Sequence, residues 1–245
     1  MSKTILITRP RGDEAIFRDE LLERGHHVIH EPLMEIVLNH NVRAELEYAL
    51  FDDPDALLVT SKHGVAALAM LTEIRDLFLL CVGEATANIA SQYGFERVSI
   101  TGETSEHMIQ YILDSYDEDA KFLYVSGEDI STDFEQVLGV QGMEVRRVVA
   151  YEAVAVQELS DTLLEQIRRG QVDTVTFFSS RTAQIFLNLA NKNNIFRELE
   201  KIDAFCLSAA IASEISGIKW HKIYIADKPT LASMLSCVDN AYKIA

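Results

Sequence analysis

The chain has 245 residues, of which 48% are hydrophobic and 24% charged, a composition typical of a globular protein with an ordinary core. Its formal net charge of −16 argues against a nucleic-acid partner, because phosphate backbones repel an acidic surface. No apolar run approaches the roughly 20 residues that span a bilayer, so no membrane association is expected. The apolar stretch at the start ends at Arg9, too early for a signal peptide, which predicts a cytoplasmic protein.

Short apolar runs alternate with longer segments of helical periodicity in the first half of the chain. The predicted strands here are Thr4–Thr8, Val28–Ile29, Asp55–Thr60, Leu79–Val82, Val98–Ile100, Phe122–Val125 and Val145–Val149. The predicted helices are Asp13–Arg24, Lys62–Leu71, Glu84–Tyr93, Ser105–Ser115 and Thr132–Leu138.

The second half continues the alternation. Its predicted helices are Asp161–Arg169, Thr182–Ala190, Ala209–Ile215 and Leu231–Tyr242, and its predicted strands are Thr174–Phe178, Ala204–Leu207 and Lys222–Ala226. Nearly all-apolar strands between helices are typical of parallel sheets covered on both faces. The predicted fold class is therefore α/β, with doubly wound parallel sheets.

The sequence also repeats itself. Asp55–Ser61 returns 118 residues later as Asp173–Ser179, and Cys81–Ala87 returns 125 residues later as Cys206–Ala212. Weaker echoes link Gly102–Ser105 to Lys228–Leu231 and Ile5–Pro32 to Phe122–Val149. Because solenoid repeats run to only roughly 20–50 residues, this period predicts two lobes of similar build. We expect a cleft between them, a common place for a small-molecule site.

No cofactor or metal is expected. Cys81 and Cys206 lie in apolar strand-like runs, where buried thiols behave as small hydrophobic groups. The chain has no cysteine pair at metal-binding spacing, and its histidines are scattered. It also has no glycine-rich nucleotide motif and no nucleophile elbow.

Polar residues follow several predicted strands, at the edge where parallel α/β sheets bind ligands. A serine or threonine there can cap the next helix, or the first-turn N–H groups can hold a carboxylate or phosphate, and the sequence leaves both roles open. These candidates are Thr8, Arg9, Thr60, Ser61, Lys62, Gly83, Thr86, Ser179, Ser180 and Arg181. Arg9 or Arg11 could bind a carboxylate or could be solvated surface charge.

An ordered set of short motifs spans almost the whole chain. It comprises Ile7-Thr8-Arg9-Pro10, Glu31-Pro32-Leu33, Thr60-Ser61 with Gly64-Val65, Val82-Gly83 with Thr86-Ala87, Tyr151-Glu152, Phe177-Phe178-Ser179-Ser180 and Pro229-Thr230. In this set the chain resembles the uroporphyrinogen-III synthase family. The resemblance implies one lobe from about 1–36 and 154–245 and another from about 39–149. Two linker strands, near Leu33–Leu38 and Val149–Val154, would join them.

The resemblance implies a reaction as well. Linear hydroxymethylbilane would cyclise to uroporphyrinogen III, with inversion of the terminal pyrrole, ring D, and loss of water. This is a cofactor-free lyase reaction of haem biosynthesis, and it depends mainly on positioning of the substrate. Tyr151 matches the family's tyrosine and would assist departure of the hydroxyl; the alternative is a linker tyrosine that only packs. The strand-end candidates above, together with Ser208, would bind the substrate's carboxylate arms.

Two departures from the family pattern affect this assignment. Ile211 stands where the family has a threonine, so that hydroxyl is lost and Ser208 is the candidate substitute. Ser126 stands before Gly127, where a basic residue is common in the family. The expected partner is the linear tetrapyrrole, bound by a monomer that could contact the preceding pathway enzyme transiently. The rival hypotheses are a two-lobed module that binds a small anion without chemistry and a degenerate synthase homologue.

Overall fold

The computed structural model describes residues 2–242 and divides into two compact units. Of these residues, unit 1 takes those up to Glu35 and those from Val154 onward, and unit 2 takes Ile36–Ala153. The predicted outer limits of the first lobe, residues 1 and 245, lie outside the described residues.

The strands and helices alternate along the chain. The strands are β1 (Thr4–Ile7), β2 (His27–His30), β3 (Met34–Leu38), β4 (Ala56–Val59), β5 (Phe78–Cys81), β6 (Arg97–Ile100), β7 (Lys121–Gly127), β8 (Glu144–Ala155), β9 (Thr174–Phe177), β10 (Asp203–Cys206) and β11 (Lys222–Ile225). The helices are α1 (Ala15–Glu23), α2 (Arg43–Phe51), α3 (Lys62–Leu71), α4 (Glu84–Gln92), α5 (Ser105–Ser115), α6 (Phe134–Gly139), α7 (Asp161–Arg168), α8 (Ser180–Lys192), α9 (Phe196–Leu199), α10 (Ala209–Ile215) and α11 (Leu231–Tyr242). A short 3₁₀ turn, His40–Val42, precedes α2.

Unit 1 contains one parallel sheet with the strand order β11-β10-β9-β1-β2. Its central strands are buried on both faces because helices cover both. Leu6, Val175 and Phe177 face one apolar core, whereas Ile5 and Ile7 face the other. This period-2 division within buried strands is what a doubly covered parallel sheet requires. The predicted α/β class is confirmed.

Unit 2 has the strand order β3-β8-β7-β4-β5-β6, and the strands from β4 to β8 are parallel to their neighbours. Two cores again cover the sheet, with Leu57 and Val59 in one and Leu58 in the other. The remaining strand, β3, runs opposite to β8, since the Asn39 N–H donates to the Ala150 carbonyl and the Val156 N–H donates to the Leu33 carbonyl. The division between the units falls within β3 and again within β8.

The two parallel sheets have the same spatial order. The strands β2-β1-β9-β10-β11 of unit 1 correspond to β8-β7-β4-β5-β6 of unit 2. The chain order differs, because unit 1 begins with the pair β1 and β2 whereas unit 2 ends with the equivalent pair β7 and β8. The units are therefore cyclic permutations of one design, and the opening echo relates β1 and β2 of unit 1 to β7 and β8 of unit 2.

Several element boundaries differ from the predictions. The helix predicted over Thr132–Leu138 begins at Phe134, because the Asp133 carboxylate accepts the Gln136 N–H (3.0 Å) and caps it. Two helices were not predicted, α2 and the four-residue α9. In α2, Leu46 and Ala49 are the buried residues, too few to produce a clear apolar stripe.

Candidate functional site

The two units each carry candidate residues at the carboxyl edge of their own sheet, beginning in unit 2 with the end of β4. Ser61 has an extended backbone and caps α3, since its Oγ accepts the Gly64 N–H (3.1 Å). The capping role that the sequence left open is therefore present. Gly64 is required for the close approach of α3 to β7, because a Cβ there would lie 3.0 Å from the Val125 carbonyl oxygen.

Tyr151 lies on β8 and reaches this helix start. Its hydroxyl oxygen is 2.8 Å from Ser61 Oγ, and its ring centroid is 6.0 Å from that of His63. The ring packs on Gly127, where an added Cβ would be 2.7 Å from Tyr151 Cε2 and 2.8 Å from Cζ. Tyr151 is thus held between the Ser61 hydroxyl and the backbone of Gly127, and its side chain is partly exposed.

Two residues that the sequence analysis missed support this arrangement. Tyr124, on β7, is buried, and its hydroxyl lies 3.3 Å from Thr60 Oγ1. Burial raises the pKa of the Tyr124 phenol, which keeps it neutral near pH 7. Arg147, on β8, donates hydrogen bonds to Ser126 Oγ and to the carbonyls of Gly127 and Glu128. The sequence feature that could have pointed to Arg147 is its position as a charged residue within the predicted strand Val145–Val149.

A cavity of about 520 Å³ lies at this edge of unit 2. Its walls combine hydroxyl groups with carboxylates. The lining residues with polar side chains are Thr60, Ser61, Glu103, Thr104, Ser105, Glu106, Tyr124, Asp129, Ser131, Thr132 and Tyr151. Tyr151 also borders a second cavity of about 470 Å³, which Asn39, His40, Glu128 and Glu152 help to line. Tyr151 therefore borders two spaces on unit 2.

Other predicted residues of unit 2 lie nearby but do not line these cavities. Gly83 precedes α4 with φ of 77°, a left-handed backbone that favours glycine, and its N–H donates to the Gly102 carbonyl (2.7 Å). Thr86 is buried in the first turn of α4, and Lys62 begins α3. The structure thus brings Thr60, Ser61 and Tyr151 together on one cavity wall. Lys62, Gly83 and Thr86 lie outside that wall.

In unit 1 the equivalent positions are mostly used for structure. Thr8 is buried and its hydroxyl donates to the Thr176 carbonyl (2.8 Å). The Arg9 guanidinium lies 4.6 Å from the centre of the Phe178 ring, and burial lowers the pKa of Arg9 from its ordinary value. Ser179 caps α8 by accepting the Thr182 N–H (3.1 Å).

Ser208 caps α10 in the same way, accepting the N–H of Ile211 at 3.4 Å. Ile211 itself is buried in the core of unit 1. Ser180 and Arg181 stand in the first turn of α8, where Arg181 is exposed.

The cysteines of the repeat are core residues. Cys81 and Cys206 are fully buried, and burial raises the pKa of each thiol to about 12, so both are protonated near neutral pH. Among residues 2–242, no group of three or more His, Cys, Asp or Glu side chains is placed to hold a metal ion. No helix in the same range is long and apolar enough to cross a membrane.

The fold and these strand-end sites define a two-unit protein of parallel α/β sheets with hydroxyl-capped helix starts. A family model described as uroporphyrinogen-III synthase HemD matches residues 17–236. The chain therefore belongs to the uroporphyrinogen-III synthase family, and the resemblance seen in its motifs is confirmed.

Individual relatives agree with this assignment. The chain is 25% identical over 252 residues to the porphyrin biosynthesis protein HemD of Ruminiclostridium josui, covering 94% of this chain and 47% of that protein. It is 25% identical over 203 residues to the uroporphyrinogen-III synthase of Synechococcus elongatus, covering 79% of this chain and 76% of that protein. The chain thus spans about half the length of the first of these relatives.

Solved structures share the fold. The uroporphyrinogen-III synthetase of Helicobacter pylori superposes with a TM-score of 0.63 at 18% identity and covers 100% of both chains. A mutant uroporphyrinogen III synthase of Thermus thermophilus gives 0.54 at 17% identity, covering 99% of each chain. At these identities the likeness concerns the fold alone.

Proposed function

We propose that the protein cyclises linear hydroxymethylbilane to uroporphyrinogen III, with inversion of ring D and loss of water. Family membership supports this reaction, and the observation that carries the assignment of a site is the pair formed by Tyr151 and Ser61. Their hydroxyl oxygens are 2.8 Å apart at the start of α3, on the wall of a cavity large enough for part of a tetrapyrrole.

The chemistry needs a proton donor for the leaving hydroxyl. Phenols titrate near pH 10, so a tyrosine is a neutral donor at pH 7. Tyr151 would give its proton to the departing oxygen, which leaves as water, and the pyrrole that carried the hydroxymethyl group becomes a protonated azafulvene. Ser61 Oγ already accepts the Gly64 N–H, so its own proton can turn to the phenolate oxygen. When the ring closes, the proton lost from the attacked pyrrole carbon can return to Tyr151.

Helix starts supply further stabilisation. The first turn of α3 carries partial positive charge, which favours a developing phenolate at Tyr151. In unit 2, carboxylate arms of the bilane would meet the backbone and hydroxyl donors near Ser61, Gly83 and Thr86. The corresponding candidates in unit 1 are Ser179 and Ser180. The candidate charge partners for these arms remain Arg9, Lys62 and Arg181. Because Glu103, Glu106 and Asp129 repel carboxylates, we expect the arms to avoid their side of the cavity.

The test is incubation with freshly made hydroxymethylbilane, followed by separation of the type I and type III isomers. Spontaneous closure yields type I, so type III enrichment reports catalysis. We expect Tyr151→Phe to lower kcat by about 10²-fold, because it removes only the hydroxyl. Tyr93→Phe, at an exposed tyrosine of the same unit, is the matched control. Full turnover by Tyr151→Phe would remove the proposed role.

The non-catalytic alternative predicts a different result in the same assay. A binding module or degenerate homologue would bind the bilane and leave the isomer ratio at that of the spontaneous reaction. Cytoplasmic location stays a prediction, which fractionation of cells would test. Action as a monomer and a transient contact with the preceding enzyme also stay predictions, and analytical ultracentrifugation with and without that enzyme measures both.

A further inference from the structure

The strand that carries Tyr151 has an irregularity next to it. Ser126 on β7 pairs with Val149 on β8, but the next residue, Gly127, pairs with Tyr151. Ala150 is therefore an extra residue on β8, which is the definition of a β-bulge. Bulges turn a side chain in a new direction and interrupt the ladder of backbone hydrogen bonds. Here the bulge places the Tyr151 ring directly against Gly127.

The Arg147 side chain bridges to the partner strand at this point, where the Ser126 hydroxyl also donates to the Gly127 carbonyl (2.9 Å). Arg147 Nε donates to Ser126 Oγ (2.8 Å), and Nη2 donates to the carbonyl oxygens of Gly127 and Glu128 (2.7 Å each). The guanidinium thus satisfies two carbonyls just where the bulge interrupts regular pairing. Hydrogen bonds from a charged donor are roughly twice as strong as neutral ones, so this clamp is a substantial constraint.

The clamped residues are the ones that hold Tyr151. Gly127 forms the surface under its ring, and the Glu128 N–H donates to the Tyr151 carbonyl (2.9 Å). We propose that Arg147 is a positioning residue for Tyr151, which fixes the end of β7 so that the phenol hydroxyl stays at Ser61. This inference rests on the proposed function for its catalytic consequence, although the clamp itself is independent of the substrate.

Only arginine suits this role fully. Its planar fork presents several donors in fixed directions, whereas a lysine ammonium is one compact charge on a flexible stem. A lysine ammonium at position 147 keeps the positive charge but does not hold its donors in the directions of these three hydrogen bonds. We therefore expect Arg147→Lys to restore part of what Arg147→Met loses. The chain offers a matched control in Arg146, the adjacent residue of the same strand, whose guanidinium lies 4.9 Å from the centre of the Tyr48 ring.

The experiment compares Arg147→Met, Arg147→Lys and Arg146→Met by steady-state kinetics with hydroxymethylbilane. We expect Arg147→Met to lower kcat about tenfold with KM changed less than about twofold, since a displacement near 1 Å suffices for such a loss. Arg147→Lys should lie between Arg147→Met and the unchanged protein, and Arg146→Met should keep its kcat. If Arg146→Met loses as much kcat as Arg147→Met, or if Arg147→Met loses none, the inference is overturned.

A double variant separates positioning from general damage to the fold. If Arg147 acts through the hydroxyl of Tyr151, adding Arg147→Met to Tyr151→Phe should change kcat less than about twofold, because the two effects are not independent. Multiplying losses would overturn the inference, since they would show a role that does not pass through Tyr151.

A spectroscopic readout keeps the inference testable if the proposed function fails. In protein labelled with ¹³C at tyrosine Cζ, the resonance that disappears in Tyr151→Phe is that of Tyr151. It should shift in Arg147→Met and stay in place in Arg146→Met, whether or not the protein turns over bilane. An unshifted resonance in Arg147→Met would overturn the clamp, whereas absence of type III product in the unchanged protein would overturn only the proposed function.

Discussion

Gly127 offers a direct way to displace Tyr151 without altering any polar group. In Gly127→Ala, the new methyl carbon would lie 2.7 Å from Tyr151 Cε2 and 2.8 Å from Cζ, closer than real side-chain carbons approach their neighbours. Gly127 does not have a positive φ angle, so its backbone conformation is open to alanine. The strain therefore falls on the tyrosine ring.

The magnitude follows from the available space. To reach an ordinary van der Waals distance, which begins at 3.4 Å, the ring must retreat by several tenths of an ångström. That movement lengthens the 2.8 Å contact with Ser61 and misaligns the phenol with the leaving hydroxyl. Because a misplacement of about 1 Å can cost 10²-fold in rate, we expect kcat to fall about ten- to hundredfold. Overpacking should also lower the free energy of unfolding by about 1–3 kcal/mol.

The assay is formation of type III product, with thermal unfolding measured in parallel. Gly139→Ala is the matched control, since nothing lies within 4 Å of an added Cβ at this glycine near the end of α6. We expect Gly139→Ala to keep full activity and to gain about 0.5–1 kcal/mol of stability. A Gly127→Ala protein with unchanged kcat would refute the view that this contact sets the position of Tyr151.

Two further predictions concern stability. Ser61→Ala removes the hydroxyl that accepts the Gly64 N–H and caps α3. Urea denaturation should show a free energy of unfolding lower by about 1 kcal/mol. An unchanged denaturation midpoint would contradict the capping role. Burial lowers the pKa of His26 below its ordinary 6.5, so the unfolded chain binds a proton there before the folded one does. The free energy of unfolding should therefore fall as the pH drops below about 6.5. The variant His26→Asn keeps an acceptor for the Lys3 N–H and should make this fall with pH shallower. An equal dependence on pH in both proteins would exclude His26 as its source.

Local sequence patterns predicted most of the elements for identifiable reasons. Most strands are short runs rich in apolar residues, and serine or threonine marks the start of α3, α5, α7, α8 and α10. The predictions failed where the pattern was faint, as in α2, which buries little apolar surface. They also failed where a cap sets the boundary, as Asp133 does for α6.

The candidate site was only partly accessible to such patterns. Ser61 and Tyr151 were singled out, but their 2.8 Å contact joins residues that are 90 apart in the chain. Sequence patterns assigned no role to Arg147. Its hydrogen bonds matter because of the bulge at Ala150, and that bulge arises from the pairing of two strands. Tyr124 was likewise seen only as part of an apolar run, although its hydroxyl reaches Thr60.

The sequence by itself determined the α/β class, the twofold repeat and several helix starts, because each depends on neighbours a few residues apart or on a repeat visible in one chain. Only the tertiary structure decided that the two units are cyclic permutations and that a bulge, a glycine and an arginine together orient Tyr151. The physical reason is that register between distant strands is chosen by packing across the whole sheet, and no local stretch of residues carries that information.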